Sequence, residues 1–216
     1  MQKNIITTKD GSHSIFIQEL NETYHSIHGA ITESQHIYIN NGINKIKKKR
    51  ISILEIGFGT GLNTMLTLQK DKKNVYYITL EPFPLTNNIY NKLNFHHYIK
   101  FDKNIFLKIH EECWEKDIKI NTNFTLHKTK TKIEDFVTKR KFDIIYFDAF
   151  APKKQPSIWT NKILKKCHML LKKNGFLITY CANGEIKRRL TKNGFRIESL
   201  QGPTGGKRSI TKANQK

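Results

Sequence analysis

Leu54-Glu55-Ile56-Gly57-Phe58-Gly59-Thr60-Gly61-Leu62-Asn63 runs from an apolar burst of strand length, residues 51–56, through a turn with glycine at every second position into a helical pattern over residues 61–70. Alternate glycines let the backbone approach a ligand closely and take conformations that a side chain forbids. A nicotinamide-binding turn would read G-x-G-x-x-G, and Leu62 stands where its last glycine should be. The stretch instead follows E-x-G-x-G-x-G from Glu55 to Gly61.

Outward from this turn, strands and helices alternate. Residues 75–80 read as a second strand, 85–93 as a short helix with Pro84 near its first turn, 105–114 as a helix, 124–128 as a third strand and 133–138 as a short helix. Residues 142–147, Phe-Asp-Ile-Ile-Tyr-Phe, are too apolar for a sheet edge and predict a central strand covered on both faces. Residues 158–171 predict a helix closed by Asn174-Gly175, then a strand over 176–180 and a helix over 185–192 closed by Asn193-Gly194. Two β-like runs follow, 195–200 and 207–211, with no helix between them. The fold class is therefore α/β, a Rossmann-like, mostly parallel sheet ending in an antiparallel hairpin, as in class I methyltransferases. Residues 1–44 hold short alternating runs, 14–18 and 36–40, and predict a lid-like extension packed on a catalytic domain of residues 45–216.

Three features carry chemistry. The E-x-G-x-G-x-G turn matches the pattern that holds the methionine portion of S-adenosylmethionine, which makes Glu55, Gly57, Phe58, Gly59, Gly61 and Asn63 candidate cofactor residues. Glu81 lies directly after the second strand, 24 residues beyond Gly57, where a carboxylate accepts hydrogen bonds from both hydroxyls of a ribose. The acid often found after the third strand, against adenine, is not evident, since residues 127–131 are basic and hydroxylated. Asp148 leaves the buried fourth strand towards the cofactor's sulfonium, and Phe147, Phe150 and Pro152 around it can shape a dry pocket for a flat base. Methyl transfer is an in-line displacement in which an amine attacks through a free lone pair. Asp148 is therefore the candidate catalytic residue: it can orient the nitrogen and take its proton.

The formal net charge is +20, and a basic surface attracts phosphate polyanions. Only six of the 38 basic residues are arginine, a lysine bias that an AT-rich coding sequence also produces. The run Lys45, Lys47, Lys48, Lys49 and Arg50 precedes the first strand of the α/β unit and so reads as a solvated face at the end of the sheet away from the ligand. Lys153, Lys154, Lys187, Arg188, Arg189, Lys207 and Arg208 follow later strands, nearer the ligand edge, and forked guanidinium donors suit phosphate. Three cysteines without a C-x-x-C pair indicate neither a disulfide framework nor zinc, and the nine histidines lack metal-like spacing. With neither a signal-peptide pattern nor a run of roughly 18 apolar residues, a cytoplasmic protein is expected.

The chain closely resembles the MnmD-type tRNA methyltransferases, which correspond to the methyltransferase half of the bifunctional MnmC enzymes. The resemblance runs through Asp10-Gly-Ser-His13, Tyr24-His-Ser-Ile-His-Gly-Ala-Ile-Thr-Glu33, the glycine turn, Glu81-Pro-Phe-Pro-Leu85, Asp148-Ala-Phe-Ala-Pro-Lys-Lys-Gln-Pro-Ser-Ile-Trp-Thr160, Thr179-Tyr-Cys-Ala182 and Gly202-Pro-Thr-Gly-Gly-Lys-Arg208. It implies methylation of 5-aminomethyl-2-thiouridine at the tRNA wobble position, with Gly57, Phe58, Gly59 and Glu81 holding S-adenosylmethionine and Asp148 meeting the amine. Tyr24 and Glu33 are implied to help close the site. Phe150, Lys153, Trp159, Arg188 and Arg208 are candidate tRNA contacts, with a core role equally open for Trp159. The chain is expected to be too short for the flavin-dependent oxidase of the fused enzymes. Two alternatives share parts of the pattern: a methyltransferase of the same fold acting on a protein or small-molecule amine, and a catalytically silent RNA-binding module.

Overall fold

The computed structural model describes residues 2–70, 72–206 and 208–215. Along the chain, β1 (Lys3–Thr7), β2 (His13–Ile17) and β3 (Glu22–Thr23) form a small antiparallel sheet, followed by α1 (Ala30–Ser34) and a π-helical turn over Gln35–Asn40. Next come β4 (Arg50–Ile56), α2 (Leu62–Leu68), β5 (Asn74–Leu80), α3 (Asn87–Tyr90), α4 (Phe95–Tyr98) and α5 (Lys103–Glu111). The remainder is β6 (Asp117–Asn121), β7 (Phe124–Thr129), β8 (Phe142–Phe147), α6 (Asn161–Leu170), β9 (Leu171–Thr179), α7 (Gly184–Lys192), β10 (Phe195–Gln201) and β11 (Ser209–Gln215).

The eight later strands lie in the order β10-β11-β9-β8-β4-β5-β7-β6. Strands β9, β8, β4, β5 and β7 are parallel, while β6 and β11 run antiparallel to their neighbours. Every residue of β8 is buried, as is every residue of β4 after Arg50, so both strands are covered on both faces. Alternate residues feed two apolar clusters: Ile51, Ile53, Ile144 and Tyr146 enter one, Leu54, Ile56, Ile145 and Phe147 the other. From β4 the chain moves outward to β5 and β7 on one side, then returns to β8 on the other. The crevice above the β4–β8 pair is thus the point where an open α/β sheet binds ligands. The basic run lies at the far end: Lys47, Lys48, Lys49 and Arg50 are exposed, and Lys48 and Lys172 pair with Asp143 near the start of β8.

Several predicted elements take another form. Residues 36–40 are not a strand, because Ile37, Tyr38 and Ile39 are buried consecutively in the π-helical turn. Residues 133–138 form a turn and not a helix, with Ile133 and Phe136 inserted into the core and Val137 left exposed. Helix α6 stops at Leu170, and Asn174-Gly175, read as its cap, lies inside β9, where Asn174 takes φ +64° and the register with β8 shifts. The edge strand β6 was not anticipated. Of the last predicted run, Lys207 lies outside the described residues and β11 begins at Ser209; the antiparallel ending itself is present.

The five-residue α1 has no capping side chain of its own, since its N-cap is Gly29. The β1–β2 turn supplies the caps instead. Ala30 N donates to Thr8 Oγ1 (3.2 Å), Ile31 N to Ser12 Oγ (3.4 Å) and Thr32 N to Asp10 Oδ2 (2.9 Å). Burial opposes ionisation of Asp10, but its bonds from Ser12, Thr32 and Thr8 outweigh that and hold its pKa at about 2. Replacing Asp10 by Ala is expected to destabilise the protein by about 1–2 kcal/mol, the cost of a lost helix cap, read from the midpoint of urea unfolding.

Candidate active site

The crevice holds a cavity of about 760 Å³, within the roughly 300–1,000 Å³ range of small-molecule sites. The glycine turn forms its floor and is tied to the sheet by Gly57 N to Leu80 O (3.0 Å) and Asp148 N to Ile56 O (3.0 Å). Gly57 has φ +97°, and a Cβ there would lie 2.5 Å from the Asp148 carbonyl oxygen, so the two loops cross only because the residue is glycine. Gly59, at φ +50°, lies directly under the Tyr24 ring, which a Cβ would meet at 3.0 Å. Tyr24 in turn sets its ring edge against Phe150, with centroids 5.3 Å apart at 82°.

Glu81 lines one side of the cavity. Its Oε2 accepts from Gly59 N and its Oε1 from Phe83 N, each at 2.9 Å, which fixes the carboxyl plane and leaves acceptor capacity on both oxygens. Burial raises its pKa despite those two bonds. On the other side is Asp148, whose Oδ1 accepts from Tyr38 Oη and whose Oδ2 accepts from Asn63 Nδ2, both at 2.7 Å. The π-helical turn carries Tyr38 and the first turn of α2 carries Asn63, so separate elements converge on one carboxylate. Glu33, 8% exposed, accepts from Ser26 N at 3.0 Å and also borders the cavity.

Two buried histidines hold Thr60 from opposite sides. His25 Nε2 lies 2.6 Å from Thr60 Oγ1, and His110 Nε2 donates to Thr60 O at 3.0 Å. Burial keeps both neutral, pushing His25 down to about 4 and His110 to about 3. Behind His110 the buried Lys128 donates to the His110 carbonyl (2.6 Å) and lies over the Trp114 ring at 4.9 Å.

The structure brings Tyr24, Glu33, Gly57, Phe58, Gly59, Glu81, Asp148 and Phe150 to one cavity. Glu55, Gly61 and Asn63 stand behind its floor, Glu55 fully buried and Asn63 3% exposed. Phe147 is a core residue and Pro152 lies off the lining. Trp159, 1% exposed, packs on Phe147 and donates Nε1–H to the Phe150 carbonyl at 2.8 Å, so it braces the wall and has no free face for a base. Lys153, Arg188 and Arg208 are exposed and off the lining, where Lys3, Lys132 and Lys154 are the lysines present. Sequence reading missed Glu22, Phe83, Glu134 and Tyr180 in the lining and Tyr38 behind it. Glu134 lies beyond β7, close to where an adenine-side acid was sought, but on a turn that had been read as helix.

A family described as S-adenosyl-L-methionine-dependent methyltransferase matches residues 91–216. The chain belongs to that family. It is similar to the tRNA 5-methylaminomethyl-2-thiouridine biosynthesis bifunctional protein MnmC of Leptospira interrogans, with 27% identity over 202 residues, covering 86% of this chain and 31% of that protein. The protein of the same name from Campylobacter jejuni (strain 81116) is 29% identical over 221 residues, covering 94% and 35%. The chain thus spans about a third of the length of the curated relatives it matches. Among solved structures, MnmC2 from Aquifex aeolicus superposes with a TM-score of 0.81 at 23% identity, over the whole of this chain and 70% of that one. Spermidine synthase from Thermotoga maritima gives 0.58 at 16%, over 100% and 72%. The family makes S-adenosylmethionine the cofactor, and the structural likenesses show the class I methyltransferase fold. Among the described residues no helix is long and apolar enough to cross a membrane.

The neutral histidines have a stability signature. Each binds its proton less tightly folded than unfolded, near 6.5, so the unfolded state takes up more protons as pH falls and stability is lost from about pH 6.5 down to about 4 for His25 and about 3 for His110. His25→Gln, which keeps polar atoms near Thr60 but does not titrate, is expected to flatten part of this loss in thermal midpoints measured between pH 7 and about 4.5.

Proposed function

We propose that this methyltransferase transfers the methyl group of S-adenosylmethionine to the amine of 5-aminomethyl-2-thiouridine at the wobble position of tRNA, giving 5-methylaminomethyl-2-thiouridine. The observation that carries this reading is Asp148, a carboxylate pinned by Tyr38 and Asn63 at the edge of a cavity walled by Tyr24 and Phe150. The names of the similar bifunctional proteins support it from outside the structure.

The lining fits the cofactor. The backbone-held Glu81 carboxyl suits a ribose diol, and the side-chain-free backbone of Gly57 and Gly59 lines the cavity beside it. Bound there, the cofactor supplies an electrophilic methyl group on a sulfonium.

The protein's own residues do the rest. An alkylamine is largely protonated at neutral pH and must present a lone pair to react. Asp148, held by Tyr38 and Asn63, orients the amine through an N–H and takes the proton whose departure frees the nitrogen lone pair before the C–N bond forms, so that the product leaves as the secondary ammonium. Glu33 and Glu22, on the same cavity, favour a cationic amine over a neutral hydroxyl. Tyr24 and Phe150 offer aromatic faces and edges to the base and exclude water from the reacting atoms. The net charge of +20 surrounds this acidic pocket and draws in the polyanion that carries the base. Arg188 and Arg208, at the surface away from the cavity, serve as phosphate contacts in this scheme.

Labelled S-adenosylmethionine incubated with tRNA from cells lacking the modification is expected to yield label in 5-methylaminomethyl-2-thiouridine by nucleoside mass spectrometry. Cofactor binding without transfer to tRNA would overturn the reading in favour of another amine. Asp148→Asn is expected to lower kcat by about a hundredfold or more with cofactor affinity nearly unchanged, in single-turnover assays. Arg188→Ala combined with Arg208→Ala is expected to weaken tRNA binding and reduce the slope of log affinity against log salt by about one to two, measured by fluorescence titration.

A further inference from the structure

The core beneath the glycine turn holds an acid that does not line the cavity. Glu55 on β4 is 0% exposed and is faced by Thr79 and Tyr77 from β5, by Asn63 and Thr64 from α2, by Tyr146 opposite it on β8 and, more distantly, by the Asp148 carboxylate. Its neighbours are hydroxyls and an amide, with no cation among them in the described residues. Glu55 Oε2 accepts from Thr79 Oγ1 at 2.7 Å and Thr64 Oγ1 at 3.3 Å, whereas the equally buried Oε1 has no hydrogen-bond partner.

Asn63 shows the complementary deficit. Its Nδ2 donates to Asp148 at 2.7 Å, yet its buried Oδ1 accepts from nothing. Thr64, the next residue of α2, bonds Glu55 Oε2, which sets the Asn63 amide beside the same carboxyl. The Tyr77 and Tyr146 hydroxyls around the same carboxyl are also without partners, whereas the Glu55 and Asn63 orphans are both acceptors, and flipping the amide would turn its oxygen onto the Asp148 carboxylate. One proton on Glu55 Oε1 resolves both, making a donor where a second acceptor stood.

We propose that Glu55 is kept as a neutral carboxylic acid whose Oε1–H donates to the Asn63 side-chain carbonyl, locking that amide with its NH2 towards Asp148. Glu55 is then a positioning residue, acting on the reaction through Asn63, and its proton stays in place during turnover. Burial favours the neutral form most strongly and the nearby Asp148 charge adds to it, while the Thr79 bond and the neighbouring Asn63 and Tyr77 donors offset only part, leaving the pKa at about 8. The role of Asp148 that Glu55 supports is the one proposed above, so the test needs a readout independent of methyl transfer.

That readout is infrared difference spectroscopy of the full chain with S-adenosylmethionine bound at neutral pH, comparing wild type with Glu55→Gln. The expected result is a protonated-carboxyl C=O band in wild type that shifts in D2O and is missing from the variant. Only carboxylate bands at that position would overturn the proposal. In turnover, Glu55→Gln carries an NH2 where the acid carries its O–H, and is expected to keep kcat within about threefold, whereas Glu55→Ala loses about tenfold, the worth of one hydrogen bond in a buried network. Asn63→Ala with Glu55→Ala should be no slower than Asn63→Ala alone. A Glu55→Gln variant that binds cofactor normally but is as slow as Glu55→Ala would also overturn it. Should wild type transfer no methyl to tRNA, the functional reading fails while the infrared band still decides the state of Glu55.

Discussion

Two hydrogen bonds of 2.7 Å, from Tyr38 and Asn63 to Asp148, tie the π-helical turn and the start of α2 to the loop that leaves β8. A buried carboxylate without donors would be costly, and one with flexible donors would wander. Here both donors are themselves immobilised. Tyr38 is 1% exposed within the π-helical turn, and Asn63 lies in the first turn of a helix whose entry is set by the glycine turn. π-Helical turns are rare and concentrate at functional sites, because the extra residue per turn re-aims a side chain that a regular helix would direct elsewhere.

The rest of the site is organised around keeping that corner still. Thr60 is clasped between two uncharged imidazoles, Gly57 passes under the Asp148 carbonyl without space for a methyl group, and Trp159 braces Phe150 from behind. Each device is bought with buried polarity, and the groups that hold Thr60, Asp148 and Phe150 are themselves neutral or paired on the atoms that do so. Preorganisation of this kind matters for an in-line displacement, where a misplacement of about 1 Å costs orders of magnitude in rate.

How much of this was legible in the sequence depends on the range of each interaction. Residues 51–56, 75–80 and 142–147 could be read as strands because they are covered on both faces, which leaves runs that are apolar at most positions and not alternating. The edge strand β6, Asp-Ile-Lys-Ile-Asn, shows only half-exposed alternation and passed as loop. The 36–40 segment alternates like a strand, and only its packing against α2 and β9 reveals a helical turn. Gly57, Gly59, Glu81 and Asp148 were found because each sits next to a strand end and has a local signature. Tyr38 was missed because its partner is 110 residues away, and nothing near it in sequence marks the pairing. Trp159 could be placed in a motif but not assigned a face, since only the fold shows its indole turned inward onto Phe147.

The borrowed caps of α1 have a consequence for the order in which the molecule assembles. A helix of five residues is far below the length that can hold itself together in water, and its first amides are satisfied only by the turn between β1 and β2. That hairpin is itself small and needs the body of the protein to rest on, as Asn94 shows by bonding the backbone of Gly11 and His13. The wall bearing Tyr24 and Glu33 therefore takes shape after the large sheet has formed beneath it. On this side the cavity is complete only when hairpin, short helix and large sheet are all in place together.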